Sequence, residues 1–305
     1  MPTYRHLYDW SVKCLSNPHE ARLIIEDIMA KSFSPDAGGT LGPYGMKYFL
    51  YLDRTADREA AESIKEMIAR RLKREPLQHI LGHCGFRYLD VKTDGRALIP
   101  RPETEILVEV ALAELRNLRF LQENTVSDRK NQQIGDLGLL DIGTGSGIIG
   151  CSVVSECGYV NAVCIDISAE ALDLARENVE GLEENARGRI SFLRGNLADA
   201  VKKKSVDVVC ANPPYLAEGE FSGLDEEVKG YDPVLALIGG PTGFEIVSQI
   251  IVSAPGLLKS AGSLVLEMAP QQAEASVALA VHSGARYASV IQDLTGRDRI
   301  LLARW

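Results

Sequence analysis

No uninterrupted apolar stretch in this chain of 305 residues approaches the roughly 20 needed to span a bilayer. The first residues, MPTYRHLYDW, lack the cationic stretch and apolar core of a secretory signal. A cytoplasmic protein without membrane contact is expected. Cysteines are few and scattered: six, at positions 14, 84, 151, 157, 164 and 210, with no C-x-x-C pair. That usage implies reduced thiols in a cytosol-like compartment. His79, His83 and Cys84 in HILGHC have no second cluster to complete a metal site. A turn or strand edge is expected there, and no metal. Aromatics make up only 6%, and positive charge is in deficit, with a formal net charge of −9. Residues 1–90 hold 13 Lys+Arg against 12 Asp+Glu; the remaining 215 hold 20 against 30. A protein that reads a phosphate backbone usually carries a basic face. Lys202–Lys204 form the one dense basic run in the second part, most simply a solvated loop. Nucleic acid is therefore not expected as a direct substrate.

What remains is ordinary for a globular protein: 25% charged and 46% hydrophobic residues. Residues 20–30 and 59–72 place apolar side chains at helical spacing, with the Gly/Pro-rich break SPDAGGTLGPYG between them. Residues 1–75 thus read as a small helical domain. FRYLDVKTDGRALIP (86–100) alternates and contains Asp94-Gly95, a hairpin-turn signal. Residues 76–105 are expected to be a two-stranded connector. RPETEILVEVALAELRNL opens a helix, with Pro102 in its first turn and Glu103 and Glu105 at the positive end of its dipole. QENTVSDRKNQQIGD (122–136) reads as a loop. From 137 onward strands and helices alternate, ending in two strands within ASVIQDLTGRDRILLARW. The expected fold class is α/β, a mostly parallel sheet covered by helices on both faces, spanning 106–305.

LLDIGTGSGIIG places Asp141, Gly143, Gly145 and Gly147 between a strand and a helix. Glycine permits positive φ and close backbone approach to a ligand, and the helix N-terminus offers free N–H groups. Gly145, Gly147 and Gly150 also spell G-x-G-x-x-G, the dinucleotide fingerprint. Asp166, ending the next strand, suits the ribose hydroxyls of either NAD or S-adenosylmethionine. Asp141 favours a ligand bearing an ammonium group over one bearing a pyrophosphate, and NPPY (Asn212, Pro213, Pro214, Tyr215) lies three strands later at the same edge of the sheet. S-adenosylmethionine is the expected cofactor.

Two prolines after the apolar run SVDVVCA cannot continue a strand or a helix. A rigid turn with Tyr215 in the core is the bland account. The chemical account starts from the amide nitrogen, whose lone pair is delocalised and weakly nucleophilic. Asn212 can accept through its side-chain oxygen, and Pro213 through a main-chain oxygen of fixed direction. Tyr215 offers a flat face to a planar group. Methyl transfer from a sulfonium releases a neutral thioether, so orientation does most of the catalysis and no general base is required.

EPLQHILG (75–82), LIPRPETEILVE (98–109), DIGTGSG, NPPY, YDPVLALIGG (231–240) and DLTGRDRI (293–300) follow in an order that resembles the release-factor glutamine methyltransferases, the HemK/PrmC family. The resemblance implies a helical N-terminal, partner-binding domain joined by a β-hairpin to a Rossmann-like, seven-stranded class I methyltransferase domain. It implies N5-methylation of the glutamine in the GGQ loop of peptide chain release factors. A monomer is expected. By motif, Gly143, Thr144, Gly145, Ser146 and Gly147 would line the methionine part of the cofactor, and Asp166 would hold its ribose. Asn196 and Leu197 would lie beside its adenine. Asn212 would face both cofactor and substrate, with Pro213, Pro214 and Tyr215 completing the glutamine pocket. Asn196 stands where the family often has Asp, and Ala269 where glycine is common. Three other readings compete. An enzyme that methylates an exocyclic base nitrogen would need basic and aromatic surface. A dinucleotide oxidoreductase would use the G-x-G-x-x-G frame alone. A silent scaffold would have no use for an intact Asn212 and glycine loop.

Overall fold

The computed structural model describes residues 1–33, 48–126 and 135–305. In chain order the helices are α1 (Tyr4–Leu15), α2 (Pro18–Phe33), α3 (Tyr48–Tyr51), α4 (Arg58–Leu72), α5 (Leu77–Leu81), α6 (Thr104–Val126), α7 (Ile148–Glu156), α8 (Ala169–Glu180), α9 (Glu184–Arg187), α10 (Glu226–Tyr231), α11 (Val234–Leu237), α12 (Glu245–Leu257) and α13 (Ala273–His282). The strands are β1 (His83–Phe86), β2 (Leu89–Lys92), β3 (Leu137–Ile142), β4 (Val160–Asp166), β5 (Ile190–Arg194), β6 (Val206–Ala211), β7 (Leu216–Ala217), β8 (Ile238–Gly240), β9 (Leu258–Glu267), β10 (Tyr287–Gln292) and β11 (Asp298–Arg304). Two compact units result: Met1–Gly82 with Glu226–Tyr231, and His83–Asp225 with Asp232–Trp305. No described helix is long and apolar enough to cross a membrane.

The smaller unit is helical. Thr3 caps α1 by accepting from His6 N, and Asp57 caps α4 by accepting from Ala60 N at 2.8 Å. The apolar faces of α1, α2 and α4 meet over Tyr4, Leu7, Ile24, Ile25, Ile64 and Ile68, all buried. Arg71 of α4 donates to both carboxylate oxygens of Glu20 at 2.7 and 2.9 Å and pairs with Glu227 of α10 at 3.0 Å. A planar guanidinium suits that fork, and its geometry ties three helices together. The Gly/Pro-rich break falls at 34–47, outside the described residues.

The hairpin of the connector is present, but its turn is not Asp94-Gly95. β1 pairs with β2 through Phe86↔Leu89, so Arg87 and Tyr88 make the turn, and Arg87 takes φ +50°. Its guanidinium donates to Glu156 at 2.6 and 2.7 Å and to Glu109 at 2.9 Å, which holds a conformation β-turn rules would give to Asn or Gly. Asp94 instead closes a later turn: its main-chain oxygen accepts from Ala97 N at 3.4 Å and its carboxylate from Arg96 N at 3.0 Å. A second correction concerns 122–126, since 127–134 of the expected loop lie outside the described residues. α6 runs on to Val126, because Arg119 pairs with Glu123 at 3.0 Å and Asn124 donates back to Phe120 O at 2.8 Å. Polar composition here marks a solvated helix end, not a break.

The larger unit is the expected Rossmann-like α/β sheet, seven-stranded in the order β10-β11-β9-β6-β3-β4-β5. β9, β6, β3, β4 and β5 are parallel, and β11 runs antiparallel between β9 and β10. Period-two alternation sends Leu139, Val208, Cys210 and Val265 to one face, under α6 and α7. Leu140, Val209, Ala211 and Leu264 go to the other, under α12 and α13. From β3 the chain proceeds outward through β4 and β5, then returns to β6 on the opposite side of β3. That reversal leaves a crevice at the carboxyl ends of β3 and β6.

Candidate active site

Register brings the site together. Ile142 of β3 lies opposite Ala211 of β6, and Ala211 opposite Leu266 of β9. The next residues therefore lie in one row: Gly143 and Asn212 leave the sheet, and Glu267 ends β9. A cavity of ≈ 400 Å³ opens above it, within the usual range for small-molecule sites. Its wall contains Gly143, Thr144, Gly145, Ser146 and Asp166, then Asn196 and Leu197, then Asn212, Pro213 and Pro214. Asp141, Gly147 and Tyr215, also expected at the site, stand behind this wall.

Each of the three supports the wall from behind. Gly147 starts α7 at φ +83°, where a Cβ would meet Ala175 Cβ at 3.0 Å. Gly143 and Gly145 also have positive φ, +69° and +55°. Gly150 of the alternative G-x-G-x-x-G faces Cys164 with no room for a side chain, so it serves helix-to-sheet packing. Asp141 is fully buried; Oδ2 accepts from Thr144 Oγ1 at 2.6 Å and Gly150 N at 3.3 Å. Its Oδ1 has no partner among the described residues. Burial pushes its pKa up to about 7, against the pull of those two donors, with the charge of Asp166 adding to the rise. Asp166 holds the loop in place: Oδ2 accepts from Gly145 N and Oδ1 from Ser168 N, both at 2.9 Å. Each oxygen keeps a second lone pair.

NPPY is clamped from two directions. Tyr215 O and Gly243 O both accept from Gln272 Nε2 at 3.0 Å, and Gln272 Oε1 accepts from Ala269 N at 3.1 Å. β7, which follows the tetrapeptide, pairs with β8 at Leu216↔Ile238, and a Cβ on Gly239 or Gly243 would run into Pro214 O or Tyr215 O. Gly239 of YDPVLALIGG, and Gly243 just beyond it, are thus required for the main chain of NPPY to lie this close. Asp232 of the same segment is buried, accepts from Arg101 Nη2 at 2.7 Å and from Ile99 N at 3.4 Å, and fixes the opposite rim.

Thr104, Glu267 and Gln272 also belong to the site, though none is among the residues the sequence points to. Asn212 Nδ2 donates to Thr104 Oγ1 at 3.0 Å, Thr104 Oγ1 to Glu267 Oε2 at 2.8 Å, and Tyr215 OH to Glu267 Oε1 at 3.4 Å. Thr104 and Glu267 are each 1% exposed. Burial raises Glu267 to about 7, opposed by Thr104, Arg299 and Tyr215 and reinforced by Glu103. Burial, then the charge of Glu267, also pushes the Tyr215 hydroxyl above its ordinary range, so it stays protonated. One signal was available: a carboxylate ending the apolar strand SLVLE is out of place unless something pairs with it. Among the described residues no three His, Cys, Asp or Glu side chains gather as metal ligands would.

The site fits S-adenosylmethionine on its own chemistry. A buried carboxylate with one unpartnered oxygen lies under a loop whose Gly143 has open space where a Cβ would stand, and a second carboxylate, Asp166, sits at the rim.

Comparison with known proteins agrees. The PrmC N-terminal domain model matches residues 12–82, and the methyltransferase small domain model matches 124–225. The release factor glutamine methyltransferase of Thermodesulfovibrio yellowstonii is 36% identical over 80% of this chain and 81% of its own length. That of Bifidobacterium longum is 38% identical over 78% and 79%. That of Geobacter sulfurreducens is 29% identical over 99% and 96%. With a sheet-edge site built from both signature motifs and relatives this similar over most of both lengths, the chain belongs to the release factor glutamine methyltransferase family.

Proposed function

We propose that this chain transfers a methyl group from S-adenosylmethionine to the side-chain amide nitrogen of the glutamine in the GGQ loop of a peptide chain release factor. The observation that carries this reading is the pairing of Asn212 Nδ2 with Thr104 Oγ1 at 3.0 Å. It leaves Asn212 Oδ1 as the polar group offered to the cavity, beside the glycine loop. A carboxamide nitrogen presents two N–H donors, and acceptors are what such a site must supply.

S-adenosylmethionine supplies an electrophilic methyl group on a positively charged sulfur. The residues do the rest. Gly143 to Gly147 give the cofactor its bed, Asp141 supports them from beneath, and Asp166 offers lone pairs to ribose hydroxyls. Asn196 and Leu197, the latter at φ +50°, border the adenine end. Asn212 Oδ1 and Pro213 O accept the two N–H bonds of the incoming glutamine, which turns its lone pair toward the methyl carbon. Tyr215, held by Glu267 and Gln272, backs that pocket. The proton leaves to water afterwards, so positioning carries the rate.

The helical unit suits the choice of protein partner, with 1–75 as partner-binding domain, 76–105 as connector and 106–305 as the methyltransferase domain. A cytoplasmic monomer is the form in which we expect it to act. The test is mass spectrometry of a release factor after incubation with the protein and S-adenosylmethionine. A gain of one methyl group on the GGQ peptide is expected; methyl transfer only to DNA or RNA bases would overturn the reading. The chain's acidic balance, 42 Asp+Glu against 33 Lys+Arg, supports the protein substrate.

A further inference from the structure

Asn and Gln amides can be seated either way round, and the hydrogen-bond network decides which. At Asn212 the decision comes from a residue that touches neither cavity nor substrate. An ionised carboxylate only accepts hydrogen bonds. Glu267 therefore takes the Thr104 hydroxyl hydrogen at 2.8 Å, and only lone pairs remain on Thr104 Oγ1. A group 3.0 Å from those lone pairs must be a donor, so Asn212 turns its NH2 to Thr104 and its oxygen to the cavity. The other oxygen of Glu267 takes the Tyr215 hydroxyl in the same way, at 3.4 Å. One buried carboxylate thereby sets both ends of NPPY.

We propose that Thr104 and Glu267 are positioning residues: a directional chain, Asn212 NH2 to Thr104 to Glu267, points the Asn212 oxygen into the cavity and so selects an acceptor that presents N–H donors. The inference rests on the amide-methylation reading for its activity arm, and its spectroscopic arm is independent of it. Were Glu267 protonated, one of its oxygens would carry a hydrogen to donate. Thr104 or Tyr215 would have to turn round, and a turned Thr104 would present its own hydrogen to Asn212 and favour the flipped amide.

Glu267 is faced by Thr104 of α6, Glu103 just before it, Tyr215 after β6 and Arg299 of β11. Arg299 favours the ionised form and Glu103 opposes it. Above about pH 7 the charge on Glu267 therefore fixes the direction of the chain, and below it that direction is no longer imposed.

Thr104→Val removes the hydroxyl at nearly constant volume, and Thr104→Ser restores it. In wild type, kcat/KM for the release-factor substrate should fall as pH drops through about 7. Thr104→Val should lower kcat/KM by about 100-fold, the scale of a misplaced reacting group, while S-adenosylmethionine affinity measured by calorimetry stays within about twofold. Thr104→Ser should recover most of the loss. Glu267→Gln should be slow and lack the fall in rate below about pH 7. Thr104→Val with wild-type kcat/KM would overturn the proposal. So would a Thr104→Ser as slow as Thr104→Val, or a Glu267→Gln with the wild-type pH profile, which would point to Asp141 instead. The Asn212 side-chain NH2 resonances, in protein labelled with ¹⁵N-asparagine, provide the second arm. They should be exchange-protected in wild type and Thr104→Ser, and lose that protection in Thr104→Val. Unchanged protection in Thr104→Val sinks the proposal even if wild type methylates no release factor, an outcome that by itself removes only the substrate reading.

Discussion

Gln272 Nε2 lies 3.0 Å from the main-chain oxygen of Tyr215 and 3.0 Å from that of Gly243, so one buried amide holds the end of NPPY against the loop that packs on it. Gln272→Leu keeps the bulk but leaves those two oxygens and Ala269 N without partners. Unsatisfied buried groups cost about 1–3 kcal/mol each when water cannot reach them. A loss of about 2–4 kcal/mol is expected from urea denaturation. A change below about 1 kcal/mol would mean the clamp contributes little.

Asn212→Ala should abolish methyl transfer and leave S-adenosylmethionine affinity within about tenfold, or about 1.4 kcal/mol. Among the described residues the side chain has one hydrogen bond, to Thr104, and the glycine loop, Asp166, Asn196 and Leu197 line the cavity independently of it. Turnover equal to wild type would remove Asn212 from the mechanism.

Asp141 and Glu267 both have folded-state pKa values raised to about 7, against roughly 4 in the unfolded chain. The folded chain holds these protons more tightly, so stability falls as pH rises from about 4 to about 7 and stays low above that. Each raised acid contributes at most about 4 kcal/mol to the drop. Asp141→Asn should remove roughly half of the slope, as read from urea midpoints between pH 5 and 8. Equal slopes in the two proteins would show that Asp141 is ionised where it lies.

Cys151, Cys157, Cys164 and Cys210 are buried, while Cys14 and Cys84 are partly exposed. Burial and the charge of Asp90 push the Cys84 thiol up to about 12. A thiol reagent added to the native protein should therefore label Cys14 first and Cys84 slowly, with the other four reacting only on unfolding. Rapid labelling of Cys164 or Cys210 would mean that the sheet opens far more readily than its packing implies.

The strand-and-helix alternation of the larger unit is legible because burial on both faces leaves near-continuous apolar runs such as SVDVVCA, and glycines at positive φ have few substitutes. The cavity wall from Gly143 to Ser146, Asp166 and Asn212 to Pro214 is legible for the same reason. The partners of Asn212 are not. Thr104 and Glu267 are 163 positions apart, and only the register Ala211↔Leu266 makes them neighbours. The hairpin turn is not legible because Arg87 owes its left-handed backbone to Glu109 and Glu156, contacts no local rule contains. The last turn of α6 is not legible because the Arg119–Glu123 pair sustains it where, after Leu121, only Val126 is apolar.

The row Ile142↔Ala211↔Leu266 ties accuracy at the cavity to the arrangement of the sheet interior. Sliding β6 by a single rung would turn Val209 and Ala211 from their apolar layer to the opposite one, and every other side chain of that strand with them. The penalty for so many misplaced core residues acts as a proofreader. A molecule that has settled its interior has, in the same event, seated its amide-orienting groups, and partly paired forms would be inert rather than promiscuous.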